Sequence, residues 1–305
     1  MSNSLPFFSI VIPTYNRSHL ILKTIESVQK QSFRNFEIIV VDDHSTDNTV
    51  EVLTPLIESK AIKFILHEAN FERAASRNTG IKHASGSFVT FLDSDDIIYQ
   101  DNLKDAFEFI HQNPGYRIFH SLYELIDSQG RPVYQYRFAS IENAPKAIAE
   151  GNFLSCICVF LARDICSAYT FDTSPELQGI EDWEYWMRIM ATYPIGRINK
   201  INGGIVHHVG RSTTQYALES YLQKMDYVLK KFRNDPALYK VYRQHLLAFE
   251  CSCYMLVASQ ANTAGLYDVA MKYLKMAIRR DPTLYFNLRF LRIAQISFMR
   301  IKSKL

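Results

Sequence analysis

Residues 88–96 read FVTFLDSDD, an aromatic and β-branched run that stops abruptly at Asp93, Asp95 and Asp96. A short apolar run without alternation is the pattern of a strand buried on both faces, which belongs to a parallel sheet covered by helices. Acidic residues at the end of such a strand sit where open α/β sheets carry their ligand-binding loops. The same design recurs upstream. FFSIVIP (7–13), FEIIVVDD (36–43) and IKFILHE (62–68) read as strands, separated by helical patterns in HLILKTIESVQKQ (19–31), NTVEVLTPLIES (48–59) and RAASRNTGIKHA (73–84). That alternation predicts parallel βαβ units, with the run at 88 as the fourth strand.

In the first helix Ile21, Ile25 and Val28 fall at helical spacing, Ser18 is placed to cap the start, and Lys23, Glu26 and Lys30 face water. The small residues of RAASRNTGIKHA permit close packing of the third helix on the sheet. Three strand ends are polar: PTYNR (13–17), DDHSTDN (42–48) and DSDD (93–96). The first loop has neither the glycine fingerprint of dinucleotide enzymes nor the phosphate loop of ATPases, which excludes both classes. Clustered carboxylates repel one another unless a cation sits among them. A hard divalent ion that takes one or two carboxylates and completes its shell with water and phosphates suits a strand-end Asp-x-Asp.

Composition fits a soluble globular chain. Its 305 residues are 48% hydrophobic, enough for one large domain with an appendage. Five cysteines without zinc spacing, and no signal-peptide pattern, point to packing residues in a reducing compartment. FLSCICVFLA (153–162) is too short to span a bilayer. Net charge is +3, and residues 279–305 hold seven Lys or Arg against one Asp. No nucleic-acid partner is expected.

SIVIPTYNR (9–17), EIIVVDDHSTDNT (37–49), RAASRNTGI (73–81), FVTFLDSDD (88–96) and EDWEYWMR (181–188) together resemble family 2 glycosyltransferases of the GT-A fold, in the family's order over about residues 7–215. The resemblance implies an α/β, Rossmann-like, mostly parallel sheet flanked by helices. Its nucleotide-sugar half lies at about 1–100 and its acceptor half at about 101–215. It implies that Pro13, Tyr15 and Asp43 hold a nucleotide base, that Asp93 lies near the ribose, and that Asp95, with His208, binds Mn2+ or Mg2+. Arg77 and Asn78 stand at the family's Arg-Asn pair, suited to fixing the loop carboxylates or the donor sugar. Arg73 and Arg211 are further phosphate-binding candidates, and His207 precedes His208 in GGIVHHVGRSTT (203–214).

Asp182 takes the place of the family's general base in GIEDWEYWMRIM (179–190), a helix with Glu181 and Asp182 in its first turn and Trp183, Trp186, Ile189 and Met190 toward the core. Acid in a first turn is also ordinary helix chemistry. The implied activity is inverting, metal-dependent transfer of a single sugar from a nucleotide-diphosphate sugar, uridine-linked, to a glycan or lipid-linked acceptor of the bacterial cell envelope. The processive family members' Gln-x-x-Arg-Trp motif is absent from the sequence. Two rivals are a catalytically silent nucleotide-sugar-binding or scaffold protein and a nucleotidyltransferase, whose glycine-rich, basic first loop is missing here.

YRIFHSLYELIDSQGRPVYQYRF (116–138) reads as a hairpin in the acceptor half. Residues 216–305 read as a helical extension in which GLYDVAMKYLKMAIRRDP (265–282) looks like a tetratricopeptide repeat, with an echo between NDPALY and RDPTLY. In the last segment, 284–305, Leu288, Leu291, Ile296 and Phe298 share a helix with Arg289, Arg292, Arg300, Lys302 and Lys304. That pattern is either a docked terminal helix or an interfacial anchor, the latter giving peripheral contact with the cytoplasmic face of a membrane.

Overall fold

The computed structural model describes residues 5–208 and 220–302, with side chains described through residue 299. Its first elements are β1 (Phe8–Thr14), α1 (Ile21–Gln29), β2 (Phe36–Asp42), α2 (Thr49–Glu58), β3 (Lys63–Leu66), α3 (Glu72–His83) and β4 (Phe88–Phe91). Then follow β5 (Ile97–Ile98), α4 (Asn102–Gln112), β6 (Ile118–Ile126), β7 (Pro132–Gln135), α5 (Ala144–Glu150), β8 (Val159–Ala162), α6 (Arg163–Ala168), α7 (Glu181–Met190) and β9 (Ile195–Val206). The remainder is helical: α8 (Ser220–Asn234), α9 (Pro236–Tyr242), α10 (Leu246–Thr263), α11 (Tyr267–Arg280) and α12 (Leu288–Lys302). Contacts divide the chain into two compact units. The first comprises the described residues of Met1–Glu142, Phe153–Thr173 and Glu181–Val209, and the second those of Asn143–Asn152, Ser174–Ile180 and Gly210–Leu305.

The first unit is a nine-stranded sheet in the order β3-β2-β1-β4-β8-β6-β9-β5, with β7 added to β6. β1 to β4 pair only in parallel with one another, as the alternating pattern requires. Past β4 the sheet is mixed, because β8 runs antiparallel to both β4 and β6 while β6 and β9 are parallel. The β6–β7 pair forms the expected hairpin. Phe8, Ile10, Ile12, Ile38 and Val40 are fully or almost fully buried, each contributing about 1.5–3 kcal/mol by leaving water. Register places Thr14 opposite Asp42, while β4 leaves β1 at Val11↔Phe91, so the polar residues that follow emerge along one edge. Pro13 is tolerated in the middle of this sheet because β4 has already ended beside it.

Helix α3 lies close on β1. A Cβ on Gly80 would come within 2.2 Å of Val11 Cγ1, so the small residue sets the approach. The expected Ser18 cap is not made. Asp47 Oδ2 accepts from both the Ser18 hydroxyl (2.8 Å) and its N–H (3.2 Å), and α1 begins at Ile21 without a side-chain cap. All five cysteines are buried thiols.

In the second unit α10 and α11 form a helix–turn–helix around Gly265, whose φ of 73° favours glycine. The echo of NDPALY and RDPTLY has a local origin. Asp235 accepts from the N–H groups of Ala237 and Leu238, and Asp281 from that of Thr283, with proline as the first residue of each following turn. Helix α12 buries Phe290, Ile293 and Ser297, whereas Leu288, Leu291, Ile296 and Phe298 are exposed. The five cysteines, the caps and the buried stripes are all packing features.

Candidate active site

The three aspartates after β4 have three different partners. Asp93 Oδ1 accepts from Arg77 Nη2 at 2.8 Å. Asp95 Oδ2 lies 2.9 Å from His208 Nε2 and 3.8 Å from Arg17 Nε. Asp96 Oδ1 accepts from the N–H of Val206 at 3.0 Å, fixing the end of β9 to this loop. The negative charge at the end of FVTFLDSDD is therefore distributed over a buried guanidinium, an imidazole and a backbone amide.

Arg77 sits on α3 and is 1% exposed. Its Nη1 donates to Glu181 Oε1 at 2.9 Å while Nη2 holds Asp93, so one cation joins the fourth strand end to the first turn of α7. Arg73 Nε adds a contact to the same Glu181 oxygen at 3.6 Å. Burial pushes the Glu181 carboxyl up, but the Arg73 and Arg77 guanidiniums outweigh it and hold it below its ordinary value. Asp182, the next residue, behaves oppositely. Burial first, and then the Glu181 carboxylate, push it up to about 7 against the pull of Arg77. A carboxylate titrating near neutrality beside a fixed ion pair is suited to accepting a proton. Behind them Trp183, Trp186, Ile189 and Met190 are buried, as the helical spacing requires.

The loops after β1 and β2 are tied together. Asn16, at φ 51°, accepts from the N–H groups of Thr46 and Asp47 through Oδ1, and its own N–H donates to Ser45 Oγ. Asp43 N–H donates to Thr14 O at 2.8 Å, which brings Asp43 next to Tyr15, 43% exposed. Asp43 Oδ1 accepts from His67 Nδ1 and from the N–H of Phe71. Asp42 is fully buried, and burial, with Asp47 and Asp43 nearby, pushes its carboxyl up although Ser45 donates to it.

Among the expected site residues Tyr15, Asp43, Arg77, Asp93, Asp95, Asp182 and His208 all belong to this strand-end region of the first unit. Pro13 is buried within β1 and presents no exposed face. Asn78 Nδ2 donates to Phe171 O and its Oδ1 accepts from Phe171 N, both at 2.8 Å, so the amide pins a backbone segment. Arg73 contacts Glu181. His207 is exposed, its N–H donating to Ile126 O, and Arg211 lies outside the described residues. Sequence reasoning passed over two partners, His67 and Arg17. His67 had a usable signal, a titratable residue immediately after a strand end.

A carboxylate oxygen and an imidazole nitrogen at one point, Asp95 with His208, form an O/N donor pair that fits Mn2+ or Mg2+ completing its shell from substrate phosphates and water. Among the described residues there is no cluster of three or more His, Cys, Asp or Glu that would enclose an ion by itself.

This sheet, with its strand-end acids and the Glu-Asp pair on α7, is that of a GT-A glycosyltransferase. The sequence model of glycosyl transferase family 2 matches residues 9–167, just over half of the chain, and the chain belongs to that family. An uncharacterized glycosyltransferase of Rickettsia felis is 33% identical over 199 residues, covering 63% of this chain and 31% of that protein, so this chain spans less than a third of that relative's length. The E. coli protein WfgD, a UDP-Glc:alpha-D-GlcNAc-diphosphoundecaprenol beta-1,3-glucosyltransferase, is 32% identical over 196 residues, 63% of this chain and 72% of its own length. Among solved structures, S. aureus TarS 1–349 in complex with UDP-GlcNAc superposes with a TM-score of 0.63 at 20% identity, covering 94% of this chain and 90% of that one. The mannosyltransferase PcManGT of Pyrobaculum calidifontis, in complex with GDP-Man and Mn2+, gives 0.63 at 18% identity, covering 98% and 86%. These two likenesses establish the fold.

Proposed function

We propose that the protein transfers one sugar, with inversion, from a uridine-linked nucleotide-diphosphate sugar to a hydroxyl of a lipid-linked envelope glycan. The observation that carries this is Arg77, buried between Asp93 and Glu181, which sets Asp182 next to the donor-side carboxylates. Tyr15 stacks on the base, Asp43 accepts from its ring N–H, and Asp93 lies at the ribose. Asp182 takes the proton of the acceptor hydroxyl as its oxygen bonds to the anomeric carbon and the bond from that carbon to the diphosphate oxygen breaks. Attack from the side opposite the leaving group inverts the centre. Asp95 and His208 would hold Mn2+ or Mg2+, which when bound offsets the charge gained by the departing nucleoside diphosphate. The activity of the E. coli relative and the UDP-GlcNAc and Mn2+ complexes of the structural neighbours support the donor, acceptor and ion classes.

A panel of nucleotide sugars, assayed for transfer and for slow hydrolysis with and without added Mn2+, tests the proposal. Asp95→Ala should abolish turnover with little change in melting temperature, through loss of several kcal/mol of transition-state stabilisation. Binding of a nucleotide sugar with no turnover of any donor would instead support the silent-binder alternative. If Asp95→Ala turns over at the wild-type rate and chelator has no effect, the metal assignment is wrong.

A second reading concerns location, and rests on α12 and the turn before it. Phe286 is 88% exposed and Leu288 76%, and Phe298 and Met299 are also exposed, on a segment that carries the exposed Arg292, while the Arg289 guanidinium is turned to Glu150 O. No described helix is long and apolar enough to cross a membrane. Exposed apolar side chains mixed with cations suit peripheral binding to an anionic bilayer on the cytoplasmic face, each cation adding about 1 kcal/mol. The full-length protein should co-sediment with phosphatidylserine vesicles at low salt, and less at high salt. A Phe286→Ser/Leu288→Ser variant should stay in the supernatant. Wild-type protein that does not sediment at low salt rules the contact out.

A further inference from the structure

His67, one residue past β3, stands behind Asp43. Its Nδ1 lies 2.8 Å from Asp43 Oδ1, and its Nε2 lies 2.9 Å from Thr79 Oγ1 on α3. The N–H of Phe71 donates to the same Asp43 oxygen at 2.9 Å. A carboxylate only accepts, so the imidazole nitrogen facing it carries the proton, and the Thr79 hydroxyl, able to donate or accept, complements the other nitrogen. Two donors thus converge on Oδ1, leaving Oδ2 as the oxygen for a ligand.

Two exposed aromatic side chains stand next to these groups. Tyr15 follows Thr14, whose carbonyl accepts from Asp43 N–H, and Phe71, 47% exposed, meets the His67 ring edge-on with centroids 5.5 Å apart. Glu72 has a φ of 69°, left-handed and uncommon for a residue with a side chain, and its N–H donates to Asn70 Oδ1. Backbone held in that region clusters at ligand-binding sites. Here it directly follows Phe71, whose N–H donates to Asp43.

Building on the uridine reading above, we infer that His67 is a positioning and specificity-determining residue, which makes Asp43 a one-oxygen acceptor for uracil. Uracil offers a single ring N–H between two carbonyls. Guanine offers adjacent ring and exocyclic N–H groups that call for both oxygens of a carboxylate, and cytosine and adenine place an acceptor nitrogen where a donor is needed. Occupying Oδ1 from behind therefore favours uracil over all three.

Calorimetric titration of UDP, GDP and CDP into wild type, His67→Ala, His67→Asn and Asp43→Ala tests this. Wild type should bind UDP best. His67→Ala should weaken UDP binding about tenfold or more, the usual effect of losing a hydrogen bond to a charged group, and narrow the UDP-to-GDP ratio. His67→Asn keeps an N–H donor close to the Nδ1 position and should recover most of both. Asp43→Ala should abolish the discrimination. If Asp43→Ala weakens UDP binding while His67→Ala keeps wild-type affinity and ratio, the His67 inference fails and the uridine reading stands. Loss of affinity in His67→Ala with an unchanged ratio and no recovery in His67→Asn marks a purely structural histidine and also overturns it. An Asp43→Ala variant that binds UDP like wild type overturns the uridine reading itself.

Discussion

Two pairs of adjacent acids, Asp42-Asp43 at the end of β2 and Glu181-Asp182 at the start of α7, look alike in the sequence and are opposites in the fold. In the first pair both carboxyls are buried: burial raises the Asp42 carboxyl, while Asp43 is bonded to His67 and to Phe71 N–H. In the second the leading residue is ion-paired and held low, while the following one, Asp182, is raised to about 7. The difference follows from what faces each oxygen. Two guanidiniums from α3 reach Glu181, whereas Asp43 faces an imidazole and a backbone amide. Two similar dipeptides therefore come to differ in charge and bonding through different partners.

Removing the guanidinium should collapse the second pair, and this is the largest effect expected. Arg77→Met leaves Glu181 and Asp93 without their buried cation, and should cost about 3–5 kcal/mol of stability, read by urea denaturation, along with turnover. The first pair should be untouched, so the preference for UDP over GDP should persist, while overall UDP affinity falls because Asp93 loses its Arg77 contact.

Asp182→Asn comes next and separates rate from binding. Turnover should fall about a hundredfold or more with donor affinity retained, because an amide cannot take the proton. In wild type, turnover should rise with pH and level off above about 7, as Asp182 ionises. Stability moves the other way. A carboxyl whose folded pKa lies above its unfolded value of about 4 binds its proton more tightly when folded, so its contribution is present below that pH and is lost as pH rises through about 7. Asp182→Asn should consequently melt above wild type at pH 8, with the gap narrowing by pH 5 and closing only below about pH 4. Equal melting at both pH values would mean that Asp182 is not raised.

The smallest effect belongs to Asp42→Asn. Its carboxyl is also raised by burial, so replacing it with a neutral isostere should change stability at pH 8 by no more than about 1 kcal/mol, with UDP affinity and turnover near wild type. A large loss of activity would show that the two residues of the first pair share their role.

Much of the fold was legible because its signals are local. The apolar runs at 7–13, 36–43 and 88–92, the helices between them and the small face ending at Gly80 each declare their state within a few residues, and the parallel β1–β4 core follows from them. The antiparallel insertion of β8 between β4 and β6 was not legible, since FLSCICVFLA reads as a strand whichever way it runs. Asp93, Asp95, Asp43 and Asp182 could be chosen from motif and position. Their partners could not be: Ser18 was caught by Asp47 instead of capping α1, and Asn78 by the Phe171 backbone.

By itself, then, the sequence determined which segments become strands and helices and which loops carry the acids, because backbone propensity and hydrophobic periodicity act over a few neighbours. Only the tertiary structure decided which carboxylate meets a guanidinium, which an imidazole and which a backbone amide. Arg77 and Glu181 are 104 positions apart, as His67 and Asp43 are 24, and Coulomb forces and desolvation act on distance in space, not along the chain.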